Sequence, residues 1–311
     1  MYLRRFADEN QILAMVDRDA ASVASRVSVN NAVNEVGYYA VPASELSDPP
    51  TDHDPEFVER MFSQVEGAAS VAIDSILGGE FPPPETARTD LSLFIATQIT
   101  RTWTWRRDFE QLTAFASDQF VSQIATPERV LTYLQSQGEP RSPRDVTRFI
   151  DHMLARPPRI VPGQGNYVEY MLEHANGLAP HILDRRWRLL DFGEPVLLTS
   201  DEPVALLRRP GEDVGPMNAR AMWLPLDRTR ALAITFSGHE HVVSSGSVRA
   251  RQINSTVATQ AYRWIFHHPA DNPLTETVVG PRIHVVQELV SVRPDGDEVT
   301  ERWKYVKRPI E

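Results

Sequence analysis

Polar residues that could carry chemistry interrupt two apolar runs between Val196 and Leu207. The stretch is VLLTSDEPVALL, so a hydroxyl pair, two acids and a proline stand where one buried segment would otherwise continue. Loops at strand ends commonly carry catalytic groups, and carboxylates there can transfer protons or hold a divalent cation. A Ser-Asp-Glu-Pro sequence is also a typical tight turn, in which Ser200 or Asp201 caps its own backbone. The sequence leaves both interpretations open.

Two further acids lie on one side of a predicted helix. Apolar residues in 56–79 recur at the helical period, and the pair Gly78-Gly79 ends the pattern. Glu59 and Glu66 are seven residues apart, so they share a face at the border of the apolar stripe. They are either solvated flank residues or parts of an interior polar site.

A second predicted helix, 89–120, carries an amide where an apolar residue is expected. Gln98 projects into the middle of the apolar stripe, and Arg101 and Arg106 lie at its two edges. A buried amide must find hydrogen-bond partners or it costs about 1–3 kcal/mol. Gln98 is therefore either a satisfied core amide or part of a site. If the two helices pack together, the carboxylates of the first would meet Arg101 or Gln98 of the second.

The composition narrows the classes of function. The net charge of −10 opposes non-specific binding to nucleic acid or to an anionic membrane, although it allows a local basic groove. The chain has no cysteine, which excludes disulfides, a thiolate nucleophile and a cysteine-based metal site. No apolar stretch approaches the roughly 18–20 residues that a membrane span needs. We therefore expect a cytoplasmic protein that neither enters membranes nor binds bulk nucleic acid.

Familiar catalytic motifs are absent from the sequence. It contains no Gly-x-Ser-x-Gly elbow, no Walker loop and no dinucleotide-binding fingerprint. His239 and His241 would share one side of a strand, as two metal ligands require, but no third ligand accompanies them. The pair is weak support for a metal site.

The order of the predicted elements indicates an α+β fold. Predicted helices are 56–79, 89–120, 126–137, 142–155 and 166–177, and predicted early strands are 11–19 and 37–41. Short apolar or alternating segments follow residue 186, as is typical of an antiparallel sheet. A helix at 248–268 and a hairpin with an Asp-Gly turn complete the chain. We predict a helical N-terminal half packed on a mainly antiparallel sheet, in a single domain over 1–270 with a hairpin extension over 271–311.

Seven stretches of the chain, taken in order, carry a resemblance to a known family. They are YLRRFAD at the start, SVNNAVNEVGYY at 28–39, FVERMFSQVEG at 57–67, LFIATQITRTWTWR at 93–106, LLTSDEPV at 197–204, MWLPLDRTRALAI at 222–234 and QINSTVATQAYRWIF at 252–266. Together they resemble the bacterial domain-of-unknown-function family 4238. The family pattern sets off a group of polar residues, namely Asn31, Glu59, Glu66, Gln98, Arg101, Ser200, Asp201, Pro203 and Asn254. The resemblance supports a site but implies no reaction.

The resemblance also implies one difference. In the family a His-x-x-Pro segment usually precedes the Tyr-Leu-Arg stretch, and this sequence begins at that stretch. We therefore expect either a start upstream of Met1 or the loss of that histidine. If the histidine serves as a base or a ligand in the family, its loss would impair or change the activity.

Three functions are compatible with these residues. In a hydrolase or nuclease, Glu59, Glu66 and Asp201 would be catalytic, either as acid and base or as ligands of Mg²⁺ or Mn²⁺, because hard cations prefer oxygen ligands. In a non-catalytic binding or sensor module, Arg101 and Arg106 would receive an anionic small molecule or nucleotide. In the third, the same acidic, arginine and glutamine side chains form a buried network that only fixes the fold. The predicted ligand-binding residues are Asn31, Gln98, Arg101, Arg106, Ser200 and Asn254. The oligomeric state stays open.

Overall fold

The computed structural model describes most of the chain. The described residues are 2–20, 24–32, 39–45, 54–124, 126–138, 142–155, 161–209, 212, 214–295 and 298–309. The helices are α1 Phe57–Leu77, α2 Glu85–Thr100, α3 Trp103–Ile124, α4 Pro127–Ser136, α5 Pro143–Ala155, α6 Gln164–Leu183 and α7 Ser247–Gln260. The strands are β1 Ile12–Asp17, β2 Ala24–Ser28, β3 Arg186–Asp191, β4 Thr199–Ser200, β5 Ala205–Leu206, β6 Ala221–Pro225, β7 Arg230–Thr235, β8 Val242–Ser244, β9 Trp264–His267, β10 Ile283–Asp295 and β11 Glu298–Pro309.

Within these ranges the strands form two sheets and a hairpin. Five strands follow the order β5-β6-β7-β3-β8, in which β3 and β8 are parallel and the other neighbours are antiparallel. Four strands form an antiparallel sheet in the order β2-β1-β9-β4. β10 and β11 pair with each other as the predicted hairpin. With α1 to α6 preceding most of the strands, this arrangement confirms the α+β class.

The five-stranded sheet lies between two layers of helix. Met222 and Leu232 pack in one core with the buried faces of α1, α2 and α6. Trp223 and Ala233, the next residues along β6 and β7, pack on the opposite face with Ile253 of α7. This alternation is what a strand buried on both faces requires. Each buried side chain of this size contributes about 1.5–3 kcal/mol, so the two apolar faces hold α7 and the helical half on opposite sides of the sheet.

The prediction of a single helix over 89–120 is wrong, because the structure has two helices there. α2 and α3 are separated by Arg101 and Thr102. The Oγ1 of Thr102 accepts the backbone N–H of Trp105 at 3.2 Å, which is the contact an N-cap residue makes when a helix begins. Arg101 therefore lies at the junction of two helices. It does not share one apolar stripe with Arg106.

The predicted end of the helix at 166–177 is also wrong. α6 continues through Gly177 to Leu183. Leu178 and Ile182 are both buried in the main core, and they extend the apolar stripe of the helix by another turn. Burial of this stripe outweighs the low helix propensity of glycine.

Two further boundaries differ from the prediction. The helix predicted over 248–268 ends at Gln260, and its last residues form β9. β9 is rich in aromatic and β-branched residues and pairs with β1 and β4, so sheet pairing decides its conformation. Of the strand predicted over 37–41, residues 39–41 do not form a strand, and the other two lie outside the described residues.

Candidate functional site

The turn after β4 crosses from one sheet to the other. β4 pairs with β9 in the four-stranded sheet, and β5 pairs with β6 in the five-stranded sheet. The Oγ of Ser200 accepts the N–H of Glu202 at 3.2 Å and donates to its carbonyl oxygen at 2.9 Å. These two bonds close the turn. It carries Asp201 toward the end of α7 and Glu202 toward the start of α3.

Asp201 fixes the segment that leads from α7 into β9. Its Oδ1 accepts the N–H of Tyr262 at 2.9 Å. Its Oδ2 accepts the N–H groups of Arg263 and Trp264 at 2.8 and 2.9 Å. Burial raises the pKa of Asp201 to about 6, although these backbone donors pull it downward. Because both carboxylate oxygens bind backbone, Asp201 stabilises the fold around the turn.

Two amide side chains of α7 pair with backbone groups on either side of the turn. Asn254 accepts the N–H of Leu198 at 3.2 Å and donates to the carbonyl oxygen of Val196 at 2.7 Å. Gln260 accepts the N–H of Leu206 at 3.0 Å and donates to its carbonyl oxygen at 2.7 Å. Buried backbone groups must be paired. α7 therefore holds the chain in position both before and after the turn.

Two adjoining cavities open beside this turn. The first holds about 530 Å³ of space, part of it open to solvent, and its wall includes Arg107, Arg208 and Arg282. The second holds about 450 Å³ of space, also partly open to solvent, and its wall includes Gln98. Both are bordered by Thr104, Asp108, Glu202, Arg208 and Gln260. The two form one cleft, here named the α3 cleft, with a polar compartment (the first cavity) and a mixed compartment (the second).

Glu202 lies between the two compartments and keeps a proton at neutral pH. Its Oε1 accepts the N–H of Thr104, in the first turn of α3, at 3.0 Å. Burial and, after it, the charge of Asp201 raise the pKa of Glu202 to about 8, while the bond from Thr104 acts in the opposite direction. A protonated carboxyl group can donate a hydrogen bond as well as accept one. Glu202 can therefore donate to a ligand in the cleft or supply it with a proton.

Aromatic contacts and an ion pair support the wall of the polar compartment. Trp103 stacks on Tyr262, with ring centroids 5.9 Å apart. The guanidinium of Arg282 lies 5.6 Å from the centroid of the same tyrosine ring. Its Nη2 binds Oδ2 of Asp19 at 2.6 Å. These contacts hold Arg282 in place beside the end of α7.

Glu59, Glu66 and Arg101 form a separate polar cluster where α1 meets the junction of α2 and α3. The Nη1 of Arg101 donates to Oε1 of Glu66 at 2.7 Å. Burial alone would raise the pKa of Glu66, but the charge and hydrogen bond of Arg101 help to bring it below the ordinary value. Partial burial raises the pKa of Glu59, against the attraction of Arg101. Two acids thus lie near one guanidinium.

The other predicted site residues lie in different places. Arg106 pairs with Glu110, one turn along α3, at 3.1 Å. Asn31 ends a short 3-10 helix and is exposed. Gln98 is 4% exposed and borders the mixed compartment. The predicted set therefore divides between the cluster around Arg101, the backbone contacts of the turn and α7, and the α3 cleft.

No described residues form a group of three or more His, Cys, Asp or Glu side chains placed to hold a metal ion. Glu59, Glu66 and Asp201 do not make such a group, and neither do His239 and His241 with a third residue. Asp201 is not available to join Glu59 and Glu66 as a metal ligand, because its carboxylate oxygens accept backbone N–H groups after α7.

Most of the cleft was not predicted from the sequence. Arg107, Asp108, Arg208 and Gln260 had no local signal, because they come from three segments whose spacing does not connect them. Glu202 did have a local sequence signal, because it is the second acid of the Ser-Asp-Glu-Pro stretch. Its role as a wall of the cleft depends on contacts with α3 that the sequence pattern does not show.

The fold and the cleft define the class of protein: an α+β protein in which helices cover both faces of a mainly antiparallel sheet and an arginine-lined cleft opens beside a crossover turn. The chain belongs to the protein family of unknown function DUF4238, which it matches over residues 1–271. The match ends before β10. No curated protein and no solved structure matches the chain. Among the described helices, none has both the length and the apolar character needed to cross a membrane.

Proposed function

We propose that the α3 cleft binds a small oxyanion, a carboxylate or a phosphate, with protonated Glu202 as one hydrogen-bond donor. The composition of the polar compartment carries this proposal, because Arg107, Arg208 and Arg282 border it together with Glu202. Guanidinium groups match the geometry of carboxylate and phosphate better than any other side chain. On the sequence grounds given above, we also propose that the protein acts in the cytoplasm.

The charge of the compartment supports an anionic ligand. Because Glu202 keeps its proton at neutral pH, Asp108 is the carboxylate on a wall with three guanidinium groups. Asp19 offsets the charge of Arg282 from outside the compartment. Counted over these residues alone, three guanidinium groups stand against two carboxylates, in a chain whose net charge is −10. A positive wall in a partly enclosed cleft concentrates anions.

The cluster around Arg101 is a weaker place for a ligand. Glu66 binds its guanidinium directly, and Glu59 adds a second negative charge nearby. An incoming anion would have to displace Glu66 and leave that acid partly buried without its cation. These three residues fit better the function of fixing α1 against the junction of α2 and α3. A divalent cation is not part of the proposal.

Replacing Arg208 by glutamine tests the proposal. Loss of a charge-assisted hydrogen bond of about 1.5–3 kcal/mol should lower the affinity for sulfate at pH 7 by about tenfold or more. Isothermal titration calorimetry gives the affinity. Arg60→Gln is the control, because it removes the same charge from a side chain that is 60% exposed on α1. Equal affinities in the two variants would contradict the proposal.

A hydrolase of phosphate esters, the class that includes nucleases, is the second candidate. It is favoured by the two acids, Glu202 and Asp108, that border both compartments. In such a reaction a water oxygen bonds to phosphorus and the ester P–O bond breaks. Asp108 takes the proton of the water, and Glu202 gives its proton to the leaving oxygen.

Glu202→Gln separates binding from hydrolysis. Glutamine still donates a hydrogen bond but has no proton to transfer. For a hydrolase we expect the rate on phenyl phosphate, whose basic leaving oxygen needs a proton, to fall about a hundredfold or more, while the affinity for sulfate at pH 7 changes little. Absence of hydrolysis by the unmodified protein would reject this candidate and leave the binding function.

A further inference from the structure

We infer that the ligand of the α3 cleft is an organic anion whose apolar body carries a hydrogen-bond acceptor oxygen, such as a carbonyl. This inference rests on the proposed function, because it concerns the part of the same ligand that enters the mixed compartment. The anionic group lies against Arg208, the apolar body fills the mixed compartment, and the acceptor oxygen meets Gln98.

Within the residues that the structure describes, Gln98 is a buried donor without an acceptor. It is 4% exposed, and its Nε2 has no hydrogen-bond partner in the part of the chain that the structure describes. Trp105 borders the same compartment, and within those residues its Nε1 also lacks an acceptor. Buried polar groups are nearly always paired. Two such donors beside one cavity indicate an acceptor that comes from a ligand.

Four apolar residues border the mixed compartment but not the polar one. They are Ile99, Val204, Leu206 and Pro216, and the first three are buried in the protein. Apolar walls with a few well-placed polar groups are the usual composition of small-molecule sites. An acyl or aryl group would cover the small apolar areas that these side chains expose to the compartment, which an inorganic ion would leave in contact with water.

The two compartments meet at residues that bind the anionic group. Glu202 and Arg208 border both of them. Gln260 also borders both, but its amide is already paired with the backbone of Leu206, so it is a fixed part of the wall. An oxyanion at Arg208 therefore stands at the entrance to the mixed compartment, and the substituent it carries extends toward Gln98.

Three phosphonates test the inference by calorimetry: methylphosphonate, phenylphosphonate, and acetylphenylphosphonate with the acetyl group at position 3 or 4. Phosphonates resist hydrolysis, so only binding is measured. We expect the affinity to rise at each step, with the better acetyl isomer adding about tenfold through the bond to Gln98. In Gln98→Leu this last gain disappears, so acetylphenylphosphonate binds no more tightly than phenylphosphonate. An apolar residue of similar size in place of an unpaired amide is compatible with folding.

Gln98→Met is the second variant, and thermal unfolding checks that both variants are folded. If the acetyl group adds nothing in the unmodified protein, or if its gain persists in both variants, Gln98 does not recognise the ligand and the inference is overturned. Binding of methylphosphonate in that case preserves the proposed function. If none of the three probes binds, the proposed function fails, and the inference fails with it.

Discussion

Replacing Asp201 by alanine is expected to lower the free energy of unfolding by about 3 kcal/mol at pH 7. The carboxylate accepts the N–H groups of Tyr262, Arg263 and Trp264. The N–H of Arg263 is exposed and can bind water after the substitution, whereas the other two are partly buried and lose their acceptor. Each such loss costs about 1–3 kcal/mol. The turn after β4 would also lose its side-chain contacts with the start of β9, although the backbone N–H of Asp201 would still donate to the carbonyl oxygen of Trp264 at 3.0 Å.

Urea unfolding followed by circular dichroism measures this effect. Asp74→Ala is the control, because the side chain of Asp74 is 67% exposed and forms a surface ion pair with Arg5. Its loss should cost less than about 1 kcal/mol. Asp201→Asn keeps one oxygen acceptor and should lose less than Asp201→Ala. A loss in Asp201→Ala no greater than that of the control would mean that the carboxylate does not hold this segment.

The effect of the Asp201 substitution should depend on pH. In the folded chain its pKa is about 6, above the ordinary value of 3.8. Between these two values the folded state keeps a proton that the unfolded chain releases. The stability contributed by this group is therefore greatest at low pH and falls as the pH rises through about 6. The difference between the unmodified protein and Asp201→Ala should be larger at pH 5 than at pH 7.

Asp201 also shows which features local sequence patterns can predict and which they cannot. Turn chemistry indicated a turn in 196–207, and helical periodicity placed Gln98 on a buried face; both are confirmed. The partners of Asp201 lie in the segment predicted as a helix over 248–268. A predicted helix pairs its own N–H groups, so no pattern could connect them to a distant carboxylate. Only sheet pairing of β9 frees those groups.

The junction of α2 and α3 shows a second limit. Thr97 and Thr102 belong to the same predicted helix, and both hydroxyls can bind backbone. The Oγ1 of Thr97 donates to the carbonyl oxygen of Leu93 at 2.8 Å, and the helix continues. The Oγ1 of Thr102 donates to the carbonyl oxygen of Ile99 at 3.1 Å and also accepts the N–H of Trp105, and a new helix begins. A threonine hydroxyl can therefore accompany either outcome, and tertiary packing decides which one occurs. Helical periodicity could not predict the direction of α3 or the composition of the cleft.

The affinity for sulfate is expected to fall about tenfold per pH unit above pH 8 in the unmodified protein and to stay nearly constant in Glu202→Gln. The pKa of Glu202 is about 8, so the side chain is a donor below that pH and a carboxylate above it. A carboxylate beside Arg208 repels the ligand and neutralises the guanidinium. Sulfate keeps the same charge across this range, so the change reports the protein alone.

Calorimetry at several pH values measures this dependence. Glu110→Gln is the matched control, because Glu110 is a half-exposed glutamate of α3 that pairs with Arg106. It should keep the pH dependence of the unmodified protein. A constant affinity in the unmodified protein would contradict a role for the proton of Glu202 in binding.

The same proton should be visible in stability without any ligand. Glu202 keeps it up to about pH 8 in the folded chain, whereas the ordinary glutamate value is 4.5. The folded state therefore binds a proton that the unfolded chain releases between these values. The stability contributed by this group falls as the pH rises from 4.5 to about 8 and is constant above it. Urea unfolding of Glu202→Gln should show a flatter pH profile, and an unchanged profile would mean that burial does not hold the proton on Glu202. If the stability profile changes as expected and sulfate affinity does not, the proton serves the fold and the anion binds elsewhere.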